Sequence, residues 1–131
     1  MRRFWPVFAA ALGFTLLTGY SFFVARFAFG ESRGSRGKEI YEKRCTGCQA
    51  LDIEKNGPHL RGVYGRQAGS LPAFPYSDAL RQSGVVWDAK SLDLWLADPD
   101  RFVPDNDMAF RVASPGERAA IIGYLNQLSK Q

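Results

Sequence analysis

The 131 residues, 46% apolar and 23% charged, describe one small globular domain with an N-terminal extension rather than a disordered chain. The formal charge of +4 does not point to nucleic acid. Arg2, Arg3 and Arg26 flank an apolar run, the remaining charges nearly balance, and no basic run of five or more occurs.

From Phe4 to Ala25 the chain carries no charge. A helix of that length reaches ~33 Å, enough for a hydrocarbon core of ~30 Å. Residues 1–29 are therefore expected to be a membrane anchor, with a cleaved signal peptide as the competing reading, since Arg2 and Arg3 form a positive start. Residues 30–36 are polar and glycine-rich and read as a linker to a domain over residues 37–131.

Lys38 to Arg44 is compatible with a helix, with Tyr41, Cys45 and Cys48 spaced along one face. Residues 52–76 hold Gly57, Pro58, Gly62, Gly65, Gly69, Pro72 and Pro75, which predicts a long structured loop. Ser77 to Gln82 predicts a short helix closed by Gly84. Asp88 is an N-cap for a helix over Ala89 to Asp98, burying Leu92, Trp95 and Leu96 and stopped by Pro99. Ser114-Pro115-Gly116-Glu117 predicts a capping box opening a last helix with Ile121, Tyr124, Leu125 and Leu128 on one stripe. No run alternates for long enough to be a strand, so the fold class is all-α.

Both cysteines sit in one C-T-G-C, Cys45 to Cys48. Two cysteines and one histidine fall short of the four ligands of structural zinc. A thioredoxin-like pair wants a βαβ setting, and haem attachment through two thioethers wants a following histidine. Taken alone, the cysteines leave the choice open.

The remaining segments bear on that choice. Around the cysteines run G-K-E-I-Y, N-G-P-H-L-R-G-V-Y-G-R-Q-A-G, F-P-Y-S-D-A-L, V-V-W-D, L-D-L-W-L-A-D-P-D-R-F-V-P-D-N-D-M-A-F and I-I-G-Y-L. In order and spacing, residues 37–130 resemble class I cytochrome c, of the mitochondrial-type branch found in bacteria. The resemblance implies short helices and long loops wrapped around one haem c. It implies thioether attachment at Cys45 and Cys48 and distal iron ligation by Met108. Pro58 matches the residue whose carbonyl holds the proximal histidine in relatives. Arg66, Tyr76 and Trp87 match donors around the buried propionates, and Trp95 stands where relatives often carry a tyrosine near the methionine sulfur. Gly37, Tyr41 and Tyr124 match the crossing of the first and last helices.

One position departs from the family motif C-x-x-C-H: Gln49 follows Cys48. A carboxamide is a far weaker ligand than imidazole, so the departure bears on haem loading, spin state and potential. The only histidine, His59, follows Pro58 at a position without a ligand role in relatives.

The resemblance implies an electron carrier, not an enzyme. It would shuttle one electron between respiratory complexes such as a cytochrome bc1-type complex and a terminal oxidase, from a periplasmic domain tethered to the bacterial inner membrane. Two other readings follow from Gln49. One is a haem protein with an open iron position, acting as a small-ligand sensor or weak peroxidase. The other is a haem-free, degenerate family member.

Overall fold

Glycine at positions 34 and 37 removes the side chains that would keep one helix from lying directly on another. The computed structural model describes residues 34–131, and in it residues 34–44 are helical (α1). A Cβ on Gly37 would collide with the Ala120 carbonyl and the Tyr124 side chain, and one on Gly34 would meet the Gln127 amide at 2.7 Å. Tyr41, one turn beyond Gly37, sets its ring 5.6 Å from that of Tyr124. Residues 34–36, expected in the linker, are helical instead: packing on the last helix overrides the weak helix propensity of their glycine and serine. The expected anchor or signal segment over residues 1–29 lies outside the described residues. Among the described residues, no helix is long and apolar enough to cross a membrane.

The rest of the helices follow in chain order as α2 (Asp78–Gln82), α3 (Ala89–Ala97), α4 (Pro99–Phe102) and α5 (Pro115–Leu128). Ser77 caps α2, and Gly84 turns the chain out with φ +67°. Asp88 caps α3 more completely than its position alone suggested. Its carboxylate accepts from the Ser91 amide at 2.7 Å, and the Ser91 hydroxyl accepts from the Asp88 amide at 2.8 Å. Pro99 does end α3, but it also opens α4. Asp98 serves as the last cap of one helix and the first of the next, its side chain accepting from the Arg101 amide.

The capping box expected at Ser114 is only half made. Its hydroxyl accepts from the Glu117 amide at 3.4 Å, while the Glu117 carboxylate turns away to pair with Arg44 of α1 at 2.9 Å. The salt bridge to a distant helix competes successfully for the carboxylate.

α5 packs against both α1 and α3. Its stripe buries Ile121, Leu125 and Leu128 as expected and Ile122 besides, with Tyr124 half-buried. Arg118, only 11% exposed in its side chain, locks α5 to α3 by donating to Asp93 at 2.7 Å, and it also donates to the carbonyls of Val112 and Ala113. Beyond the helices, the described residues hold one isolated antiparallel bridge, Gln67 to Val86. The architecture is mostly helical, as read from the sequence.

Because the Gly37 contact leaves no room for a methyl group, Gly37→Ala is expected to destabilise the domain by about 1–3 kcal/mol through overpacking. In urea denaturation the midpoint should fall with the slope unchanged; an unchanged midpoint would contradict the close crossing.

Candidate functional site

The cysteine segment continues directly from α1. The amide of Cys45 donates to the Tyr41 carbonyl at 2.8 Å, and the amides of Cys48 and Gln49 both donate to the Cys45 carbonyl. That tight turn separates the two thiols by environment: Cys45 is half-buried and Cys48 exposed. Burial pushes the Cys45 thiol up to about 11, against a smaller opposing pull from Arg44.

The breaker-rich stretch after the cysteines is an ordered loop, as its density of glycine and proline predicted. The amides of Leu60 and Arg61 donate to the carbonyls of Ala50 and Leu51 at 2.9 Å each. Further on, the Trp87 amide donates to Arg66, the Gly65 amide to Trp87 and the Ala68 amide to Val85, which pins residues 65–68 to residues 85–87. Gly65 and Gly69 meet this geometry with φ of +89° and +69°. The same pinning sets two expected site residues, Arg66 and Trp87, and Tyr76 follows in the same loop. The Arg66 guanidinium is held by the His59 carbonyl at 2.8 Å, and burial lowers its pKa. Burial also raises the Tyr76 hydroxyl, whose ring stands edge-on to Phe74 at 4.8 Å. Trp87 is buried with its ring centroid 5.4 Å from that of Trp95 on α3.

Met108 comes from a separate loop between α4 and α5. Asn106, which sequence reasoning passed over, orders that loop: its side-chain oxygen accepts from the Met108 amide at 2.7 Å, and its amide donates to the Val103 carbonyl at 2.8 Å. Asp105 beside it adopts φ 62°, a left-handed conformation that Asp and Asn tolerate. The signal was present in Pro104-Asp105-Asn106-Asp107, a cluster of turn-forming residues. Past the loop, Val112 is fully buried and its amide donates to Leu96 on α3 at 2.7 Å.

These segments enclose one cavity of about 580 Å³ with a predominantly apolar lining, within the range of about 300–1,000 Å³ usual for cofactor sites. All nine expected site residues line it: Cys45, Cys48, Gln49, Pro58, Arg66, Tyr76, Trp87, Trp95 and Met108. His59 does not. Its interior wall holds Tyr41, Trp87 and Ile121, all buried, whereas Gly47, Cys48, Ala109 and Phe110 are exposed and mark its mouth.

Among the described residues, two buried side-chain polar atoms have no hydrogen-bond partner, the Tyr41 hydroxyl and Gln49 Oε1, and both residues line this cavity. Burial pushes the Tyr41 hydroxyl up to about 12, with like-signed contributions from Cys45, Tyr124 and Asp52. The Gln49 amide lies flat against Gly57, where any Cβ would collide with it. The lining therefore fits a large, flat, mostly apolar guest held by two thiols and faced by a thioether. Gln49 does not fit the part of a strong axial donor, because a carboxamide nitrogen has no free lone pair and its oxygen is a hard ligand.

Helices and loops closed around a mostly apolar cavity, with paired thiols and a thioether on its walls, define a c-type haem protein. The comparisons agree. The family model for cytochrome c matches residues 34–129. Cytochrome c2 iso-2 of Magnetospirillum fulvum is 44% identical over 87 residues, 64% of this chain and 91% of that protein. Cytochrome c type-1 of Ascaris suum is 36% identical over 98 residues, 72% of this chain and 88% of that one. Among solved structures, cytochrome cH from Methylobacterium extorquens superposes with a TM-score of 0.68 at 35% identity, covering 72% of this chain and 97% of that chain. The chain belongs to the cytochrome c family.

Two outcomes follow from this geometry. Asn106→Ala removes both bonds that order the Met108 loop and is expected to cost about 1–3 kcal/mol, read as a lowered thermal midpoint. The second concerns alkaline pH in the haem-free chain. Cys45 and Tyr41 stay protonated in the fold up to about 11 and about 12, whereas an unfolded chain releases those protons near 9 and 10. The unfolded state then binds fewer protons, so stability holds below pH 9 and declines as pH rises through these windows. Denaturation midpoints measured from pH 8 upward should fall, and Cys45→Ala should remove the part that begins near pH 9.

Proposed function

We propose that the chain is an electron carrier in which haem c is bound covalently through Cys45 and Cys48. The observation that carries this reading is that both thiols and the Met108 thioether open onto a single apolar cavity. When bound, haem supplies a one-electron ferric/ferrous couple. The residues of the chain set how that couple is housed. Met108 offers a soft sulfur that favours the ferrous state, held in place through Asn106. Trp87, Trp95, Leu92 and Ile121 keep the interior dry. Arg66 and Tyr76 bring polar groups, each carried into partial burial, to one part of the lining, where propionate charge would be met. The exposed mouth at Gly47, Cys48, Ala109 and Phe110 gives a partner short-range access to the edge of the guest.

The setting belongs to the same proposal. The uncharged run from Phe4 to Ala25 supports a tether to the bacterial inner membrane with the domain in the periplasm. Its partners there are a cytochrome bc1-type complex and a terminal oxidase. Retention of the full chain in membranes washed with alkaline carbonate is the expected result; release into the wash would favour a cleaved signal.

The central test is chemical. Purified from a host with cytochrome c maturation, the denatured protein should keep its pigment on an electrophoresis gel, and Cys45→Ala with Cys48→Ala should lose it entirely. The native protein should give a reversible one-electron wave by voltammetry. Colourless protein from such a host would leave the haem-free reading standing.

A further inference from the structure

We infer that the axial position that falls to Gln49 is exchangeable and takes one small neutral nitrogen donor of the imidazole class while Met108 stays in place. The inference rests on the proposed haem attachment at Cys45 and Cys48 and goes beyond it, since an electron carrier needs no exchangeable position.

Three observations converge on it. First, Gln49 is a poor donor held by nothing. Its Oε1 is buried without a hydrogen-bond partner, so swinging the amide away breaks no hydrogen bond and ends an unfavourable desolvation. Second, the frame around it persists when the side chain moves. The backbone N–H of Gln49 donates to the Cys45 carbonyl at 2.8 Å and that of Gly57 to the Cys48 carbonyl at 3.1 Å, so the backbone that carries both thiols keeps its position. The space vacated lies over Gly57, which has no side chain to fill it. Third, a second partner for an imidazole is already present. The Pro58 carbonyl belongs to a cavity-lining residue and accepts no hydrogen bond among the described residues. An imidazole bound through one nitrogen has an N–H on the other, and such ligands are regularly fixed by a carbonyl acceptor. Gln49 makes no hydrogen bond to that carbonyl.

The test is a titration of the haem-bearing protein with free imidazole, followed by absorption spectroscopy. One-site saturation is expected, with a change from a high-spin to a low-spin spectrum and the sulfur-to-iron charge-transfer band of Met108 present at saturation. Gln49→His, which supplies its own imidazole, should bind at least about 10-fold more weakly. Gln49→Ala, which only removes the amide, should bind as tightly as the unaltered protein or better. Absence of binding overturns the inference. So does saturation without the sulfur band, or equal affinity in Gln49→His, because exchange would then be at Met108. The two readings fail separately: pigment lost on denaturation defeats the haem attachment and this inference together, whereas retained pigment that ignores imidazole defeats this inference alone.

Discussion

The best apolar side chains of this domain face a hollow. Tyr41, Trp87, Leu92, Trp95, Ile121 and Leu125 belong to the buried core, and every one of them also lines the cavity of about 580 Å³. A domain of this size has little apolar surface to spare, so a core arranged around a space is marginal until the space is filled. The other structural features are explicable from that constraint. Loops must be held by backbone hydrogen bonds rather than by packing on one another, and helices must be pinned at their ends. Hence the bonds from residues 60–61 to 50–51, the bridge at Gln67 and Val86, and the Arg118 side chain spanning α5, α3 and the chain between them.

The charged contacts share the same logic. Arg44 and Glu117 join α1 to α5, and Arg111 meets both Asp98 and Asp100 at 3.0 Å near the caps of α4. Exposed pairs of this kind contribute little energy individually. Their value lies in placement: each sits where two segments meet, and Arg44 also lines the cavity.

Much of this was legible in the chain because local chemistry dictated it. Asp88 and Ser114 are caps, Pro99 and Gly84 are stops, and the glycine and proline density of residues 52–76 marks a loop. That Cys45, Arg66, Trp87 and Met108 line one cavity could be anticipated only through resemblance, since no periodicity brings them together. What escaped was decided at long range. Residues 34–36 became helical because α5 lies against them, and Glu117 left its own cap for Arg44, 73 positions away. Asn106 escaped because one turn residue among several gives no hint of which backbone amide it will hold.

The crossing of α1 with α5 joins the two ends of the described chain. Loop closure over so wide a separation is entropically the costliest contact the fold contains, and it forms only when the last helix exists. During synthesis the cysteine turn therefore emerges well ahead of Ile121 and Leu125, which supply part of the interior wall. Until those residues arrive the pocket is a trough rather than an enclosure, and a rigid planar guest can be laid in from the side instead of being threaded through the finished mouth.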